Sequence, residues 1–189
     1  DFTLLFSVPF VAAFLTVPYV IMRAMFARGA FSKADAAAAG ATLAAYAVGL
    51  IPFVMIRSAV ATFYARKNTA TPVKAALTGV AVNVALKMIL VWGMHLGAVG
   101  IALGTSLGAW TNVAMLSWLA LGRGMLRIDA TFLRAFVPTI LAAILAGAGA
   151  WLGEQLGMRL GIHPGLLYDI SLLLLAVVGG GAGYGLVVL

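Results

Sequence analysis

Six long runs of apolar residues, separated by short polar breaks, dominate the sequence. A helix that spans a bilayer needs about 20 largely apolar residues, and each run is close to that length. No run alternates polar with apolar residues, as the strands of a membrane barrel would. The pattern therefore predicts an all-α, polytopic membrane helix bundle with about six transmembrane helices. The predicted spans are residues 4–22, 37–63, 73–92, 98–121, 132–153 and 166–188.

The breaks between the runs carry the residues that begin and end helices. Ser32 and Asp35 have the spacing of a capping box before the second span, in which each side chain bonds the other residue's backbone N–H. Thr71-Pro72 predicts an N-cap followed by a first-turn proline before the third span. His163-Pro164-Gly165 predicts a chain break before the sixth span.

Composition strengthens the membrane prediction. The chain is 64% hydrophobic and 9% charged, whereas soluble domains are about 45–50% apolar and about 25% charged. The net charge of +7 comes from basic residues spread mostly at the ends of apolar runs. That distribution is typical of membrane loops and not of a nucleic-acid-binding face. The absence of cysteine excludes disulfides, cysteine-ligated zinc and thiol catalysis.

The loop charges predict an orientation. Basic residues collect in cytoplasmic loops, and the loops after the even-numbered spans hold six of them against four for the others. The first set is therefore predicted to be cytoplasmic, together with both ends of the chain. The first set comprises Arg66, Lys67, Lys74, Arg123, Arg127 and Arg134, and the second comprises Arg23, Arg28, Lys33 and Arg159.

The two ends of the sequence predict a piece of a longer polytopic protein. Asp1 opens directly into an apolar run without an initiator methionine or a signal peptide. The chain is still hydrophobic where it stops at Leu189.

Two cations inside the predicted spans are the main candidates for a binding site. Arg57 lies in the second span and Lys87 in the third, and an ionisable residue at membrane depth usually faces a bundle interior or an aqueous cavity. With no acid nearby, such a cavity would suit a phosphate-bearing lipid. The alternative is that both side chains extend to lipid headgroups. Helical spacing places Tyr46, Phe53 and Tyr64 on the face of Arg57, and Gly79 and Asn83 on that of Lys87.

Catalysis has little support in the sequence. The two histidines, His95 and His163, stand in loops, and the five acids are scattered without a pair at helical spacing. A hydrolase or a metal site needs such groups to converge. We therefore expect neither an enzyme nor a bound metal or cofactor.

Small residues recur at four-residue spacing in the fourth and fifth spans, which predicts close helix packing. The rows are Gly100, Gly104, Gly108 and Asn112, and Ala142, Ala146 and Ala150. The sixth span contains a glycine-rich stretch, 179–185, that is either a packing surface or a bend and groove for a lipid chain.

Two segments carry a family resemblance. Residues 26–32, Phe-Ala-Arg-Gly-Ala-Phe-Ser, resemble the F-x-R-G-A-F-[ST] signature of the MviN/MurJ lipid II flippases. Residues 63–74 are similar to that family's F-Y-A-R-x-D-T-x-T-P-V-K stretch, with Asn68 and Ala70 as departures. Segments 46–50 and 97–106 fit as well, so that the match extends to about residue 121. The motif residues it singles out are Arg28, Gly29, Tyr64, Arg66, Thr71, Pro72 and Lys74.

The resemblance implies the C-terminal portion of a fourteen-helix flippase in the bacterial cytoplasmic membrane. It implies four helices of the C-terminal lobe in 1–121, a cytoplasmic linker in 122–131, and two helices in 132–189 that form a groove for a lipid tail. The substrate would be an undecaprenyl-diphosphate type of lipid among the membrane lipids. Arg57, Lys87, Asn83 and Tyr46 would line a cationic cavity completed by an N-terminal lobe that this chain lacks. No nucleic acid is expected as a partner.

Two other functions stay open at this level. One is a related exporter of polysaccharide precursors or drugs from the same superfamily. The other is a membrane scaffold that binds partners without transporting anything. The motif segments favour the lipid II flippase over both.

Overall fold

The computed structural model describes residues 2–26 and 29–124, together with thirteen helical positions scattered through 144–178. Every regular element within the described residues is helical, as the sequence predicts. The elements are α1 (Phe2–Thr16), α2 (Pro18–Phe26), α3 (Lys33–Tyr64), α4 (Ala70–Met88) with a π-helical turn (Ile89–Gly93), and α5 (Gly97–Gly122). Most of the fifth and sixth predicted spans lies outside the described residues, including the alanine row and the glycine-rich stretch.

Three of the described helices are long and apolar enough to cross a membrane. They are α3, α4 with its π-helical turn, and α5, which correspond to the second, third and fourth predicted spans. Their boundaries differ from the predicted ones by a few residues, because helix ends extend into the polar segments that the hydropathy pattern leaves out.

The first predicted span, 4–22, is built from two helices and not one. The break falls at Val17, directly before Pro18. Proline lacks a backbone N–H, and its ring clashes with the carbonyl four residues earlier. Helical hydrogen bonds continue on both sides, from Val17 N–H to Ala13 O at 3.0 Å and from Ile21 N–H to Val17 O at 3.1 Å. The interruption is therefore confined to one residue.

The turn between α2 and α3 explains the first family motif. Gly29 has φ +60°, a backbone conformation in which glycine avoids the steric cost of a Cβ. The rings of Phe26 and Phe31 pack across this turn with centroids 6.1 Å apart. Ser32 and Asp35 then form the predicted capping box: Asp35 N–H donates to Ser32 Oγ at 3.2 Å, and Ser32 N–H to Asp35 Oδ2 at 2.8 Å. The motif builds a helix–turn–helix junction.

The turn between α3 and α4 explains the second motif. Lys67 has φ 57°, and its N–H donates to Tyr64 O at 2.9 Å while that of Asn68 donates to Phe63 O at 3.0 Å. This pair of bonds is a Schellman ending, which satisfies carbonyls left free at the end of α3.

The start of α4 corrects the predicted cap. The helix begins at Ala70 with Thr69 as its N-cap, so Thr71 lies inside the first turn instead of at the N-cap, whereas Pro72 is in the first turn as predicted. The reason is that Asn68 Oδ1, further upstream, accepts the N–H of Thr71 at 3.2 Å. Pro72 is tolerated there because first-turn amides lack helical partners in any case.

The chain divides into two compact units, residues 1–44 with 131–189 and residues 45–130. In the first, Val17 and Val20 are buried. In the second, a core forms where the end of α3, the start of α4 and the end of α5 meet. Its buried residues are Phe63, Ala75, Leu116 and Ala120. Phe63, the first residue of the second motif, therefore fixes these three helix ends together.

The predicted glycine row of α5 packs against α4. A Cβ on Gly108 would lie 2.6 Å from Asn83 Cβ and 2.8 Å from Gly79 O. A Cβ on Gly79 would in turn lie 2.9 Å from Gly108 O. Such distances are far below van der Waals contact, so only glycine permits this approach. The row therefore serves helix packing, as the sequence predicts.

Candidate functional site

Arg57 lies on an exposed face of α3. Its guanidinium side chain is exposed, and so are three aromatic side chains at helical spacing along the same face: Tyr46 (43% exposed), Phe53 (50%) and Tyr64 (53%). Residues 36–128 contain no acidic residue, so no carboxylate in that stretch can neutralise Arg57. The face combines one forked cationic donor with aromatic surface.

The opposite side of α3 is fixed to α5 by two hydrogen bonds. Pro52 is fully buried and cannot donate a backbone hydrogen bond, which frees the carbonyl of Val48 four residues earlier. Trp110 Nε1 donates to that carbonyl at 2.9 Å. One turn away, the buried Ser106 Oγ donates to Ala45 O at 2.7 Å. These bonds fix the rotation of α3, and with it the direction in which the Arg57 face points.

Lys87 and Asn83 occupy different surroundings from Arg57. Both lie on the side of α4 that packs against α5. A Cβ on Gly104 would lie 2.7 Å from Lys87 Cγ and 3.3 Å from Asn83 O. The aliphatic stem of Lys87 therefore runs over the bare backbone of Gly104, and the residue is half-buried.

Two buried amide oxygens stand in the same interface. Asn83 Oδ1 and Asn112 Oδ1 are inaccessible to solvent and accept no hydrogen bond from the described residues. Each asparagine packs over a glycine of the facing helix, Asn83 over Gly108 and Asn112 over Gly79. Unpaired buried acceptors are costly, so both oxygens are candidates for a donor from outside the described residues.

The remaining motif residues cluster at the end of the second unit where α3 ends and α4 begins. Arg66 and Lys74 are exposed, and Pro72 is buried. Thr71 is 7% exposed, and its Oγ1 accepts a hydrogen bond from Arg123 Nη1 at 3.1 Å. Arg28 lies outside the described residues.

Three hydrogen bonds that position the site escaped the sequence analysis. The bond between Trp110 and Val48 had a signal, because Pro52 in a helix always frees the carbonyl four residues before it. Asn68, which the sequence analysis noted only as a departure from the motif, accepts the N–H of Thr71. The pairing of Arg123 with Thr71 joins residues 52 positions apart, and nothing in the sequence indicates it.

The chemistry available to these residues is anion binding. Among residues 2–26 and 29–124 and the described positions beyond them, no group of three acidic, histidine or cysteine side chains is placed to hold a metal ion. Arg57 offers a planar set of donors, which fits the oxygens of a phosphate group.

A family model described as "Lipid II flippase MurJ" matches residues 1–167 of the chain. The chain belongs to the MurJ lipid II flippase family. It is 36% identical over 143 residues to a probable lipid II flippase MurJ of Rhizobium meliloti, covering 76% of this chain and 26% of that protein. It is 34% identical over 115 residues to the lipid II flippase MurJ of Thermosipho africanus, covering 60% and 24%.

A solved structure has the same fold. A lipid II flippase MurJ in an inward closed conformation superposes with a TM-score of 0.66 at 21% identity, over 97% of this chain and 36% of that one. The chain is thus a multi-pass membrane protein of a transporter family. It spans about a quarter of the length of the family relatives it matches.

Proposed function

We propose that this chain is the C-terminal part of a lipid II flippase of the bacterial cytoplasmic membrane. The observation that carries the proposal is the family match over residues 1–167. A flippase moves its lipid across the bilayer without making or breaking a bond, so the protein has to supply a polar path and no reactive group. The same match disfavours the related exporter of polysaccharide precursors or drugs, and the scaffold.

Arg57 is the residue to which we assign the diphosphate of the substrate. A forked guanidinium on an exposed face meets two phosphate oxygens at once. The absence of acids from residues 36–128 leaves that charge available for a ligand. The neighbouring aromatic side chains, Tyr46 among them, offer apolar surface and hydroxyl groups to the rest of the lipid-linked substrate.

Lys87 and Asn83 have a secondary role in the proposal. The stem of Lys87 is half-buried over Gly104, and a lysine is a point charge that suits a phosphate. The amide oxygen of Asn83 is buried in the α4–α5 interface, so a sugar or peptide head group would reach it only if these two helices part. Both residues would act after Arg57 has attracted the lipid.

The matched segment covers only about a quarter of each relative, so the proposed cavity requires residues beyond this chain. We propose that an N-terminal lobe of the same protein forms the other half of the cavity. Residues 132–189 would then form the two-helix groove for the polyprenyl tail, joined to the lobe by the linker 122–131.

Replacing Arg57 in the intact protein tests the assignment. We expect Arg57→Ala to abolish growth of a strain depleted of its own flippase, because the diphosphate loses its forked donor. Arg57→Lys keeps the charge but not the fork, and we expect partial growth. Immunoblotting of membranes checks that each variant accumulates normally.

The control is Lys33→Ala, which removes an exposed cation at the other end of α3 and should leave growth unchanged. Normal growth of the strain with Arg57→Ala would contradict the assignment of Arg57 to the diphosphate. A binding assay with purified lipid II and the intact protein tests the function itself. If the protein does not bind lipid II but binds another lipid-linked sugar, it is a different exporter.

A further inference from the structure

A second cationic site lies at the end of the second unit where α3 ends, α4 begins and α5 ends. Four basic side chains converge there by topology: Arg66 and Lys67 in the α3–α4 turn, Lys74 in α4, and Arg123 directly after α5. All four are exposed. No acid occurs in residues 36–128, and no ion pair forms among the described part of these helices. The cluster is distinct from Arg57, which lies about two turns before the end of α3.

Arg123 is held in place and still has donors to spare. Its Nη1 donates to the buried Thr71 Oγ1 at 3.1 Å, which ties the end of α5 to the first turn of α4. A guanidinium has five N–H donors in a fixed fork, so one hydrogen bond leaves the others for a ligand. A side chain that is already ordered loses less conformational entropy on binding.

The backbone holds Lys67 in an orientation that a lysine seldom adopts. Its φ of 57° is a left-handed conformation, which is sterically unfavourable for a residue other than glycine. Glycine is the usual residue at this position of a Schellman ending. A lysine at this position places an exposed cation in the turn.

Aromatic side chains mark the depth of this cluster in the bilayer. Tyr64 ends α3 and is 53% exposed, and Trp118, about one turn before the end of α5, is 72% exposed. Tyrosine and tryptophan favour the boundary between hydrocarbon and headgroups. Cations located just beyond that boundary are at the level of lipid phosphates. Below them, Val73 and Leu77 expose apolar surface along α4, which provides a path for acyl chains.

We propose that Arg66, Lys67, Lys74 and Arg123 form a binding site for the phosphate headgroup of an anionic phospholipid, separate from the transport substrate. Arg123 and Lys67 bind the phosphate directly, while Arg66 and Lys74 add electrostatic attraction. The bound lipid bridges the ends of α3, α4 and α5 at the membrane surface. This site depends on bilayer lipid and not on the lipid being moved.

Native mass spectrometry of the intact protein with phosphatidylglycerol or phosphatidylcholine tests the site. We expect retention of phosphatidylglycerol over phosphatidylcholine. Each cation removed weakens binding by about fivefold, so Lys67→Gln/Arg123→Gln should bind phosphatidylglycerol more than tenfold less tightly. Lys67→Arg/Arg123→Lys, which keeps both charges, should retain most of the binding and shows that the turn still folds.

Lys33→Gln is the matched control, because it removes an exposed cation from the start of α3, at the opposite end of that helix. An equal loss in this variant, or no loss in the double variant, would overturn the site. Competition with inorganic phosphate separates the two sources of the anion: displacement at millimolar concentration would assign the site to free phosphate and overturn the lipid. Unchanged lipid II binding in the double variant would keep this site distinct from Arg57, whereas a parallel loss would merge the two.

Discussion

At the scale of the residue, Trp110 compensates for a hydrogen bond that Pro52 removes. The proline leaves the carbonyl of Val48 without its helical donor, and the indole N–H supplies one at 2.9 Å. Inside a membrane no water is available to donate a hydrogen bond to an unpaired carbonyl. A proline in the middle of α3 therefore requires a donor from a neighbouring helix, and α5 provides it.

A double-mutant cycle measures this compensation. Trp110→Phe should lower the free energy of unfolding by about 1 kcal/mol, because the Val48 carbonyl loses its donor while the aromatic packing largely stays. In the Pro52→Ala background residue 52 supplies its own N–H, so Trp110→Phe should cost clearly less. Unfolding of the purified intact protein in mixed micelles gives all four values. Equal costs in both backgrounds would mean that the indole acts by packing alone.

Another residue-scale feature concerns Asn68, which departs from the aspartate common in the family. Its amide oxygen caps the N–H of Thr71, and an aspartate oxygen does the same. The departure removes a negative charge from the turn and keeps an oxygen that accepts the N–H of Thr71. With asparagine in place of aspartate, no carboxylate in the turn competes with a lipid phosphate for Arg66 and Lys67, as the proposed phospholipid site requires.

At the scale of the element, α4 and α5 approach as closely as their backbones allow. Gly79 and Gly108 face each other, and each packs under an asparagine of the other helix. Without a hydrophobic driving force between helices in lipid, such close packing is what holds them together. The α4–α5 pair is therefore sensitive to a single added methyl group.

Gly108→Ala tests this packing. The new Cβ would lie 2.6 Å from that of Asn83 and 2.8 Å from the carbonyl of Gly79, so the helices must separate, at a cost of about 1–3 kcal/mol. The matched control is Gly122→Ala on the same helix, where a Cβ meets nothing within 4 Å. Thermal unfolding of the two purified variants should show a large loss for the first and none for the second. Similar midpoints would show that the interface adjusts freely.

At the scale of the whole molecule, the loop charges set an orientation that the described helices allow to be tested. The α3–α4 turn carries Arg66 and Lys67, and the α4–α5 turn carries no lysine or arginine. The first is predicted to face the cytoplasm and the second the other side of the membrane.

Single cysteines in this cysteine-free chain report that orientation. In an otherwise cysteine-free intact protein, Met94→Cys should react with a membrane-impermeant maleimide in spheroplasts. Thr69→Cys should react only after the membrane is permeabilised. Both positions are exposed and have φ below zero, so a cysteine fits each turn. The reverse pattern would invert the topology and place the proposed phospholipid site in the outer leaflet.

The sequence by itself determined the class of protein, the positions of three long helices, the capping box at Ser32 and the family. These properties depend on local composition, on short-range spacing and on motifs of adjacent residues, which can be read without knowing the fold. The start of α4 shows what such local patterns miss. Thr71 was the predicted N-cap, but α4 begins at Ala70, and Asn68 accepts the N–H of Thr71.

Only the tertiary structure decided which residues from different helices meet. It paired Trp110 with the carbonyl freed by Pro52, joined Arg123 to Thr71, and placed the stem of Lys87 over Gly104 while leaving Arg57 exposed. In a membrane almost every residue of a span is apolar, so hydropathy does not distinguish the side of a helix that faces lipid from the side that faces a neighbour. That choice is made by steric fit and by individual hydrogen bonds between helices, which exist only once the chain has folded.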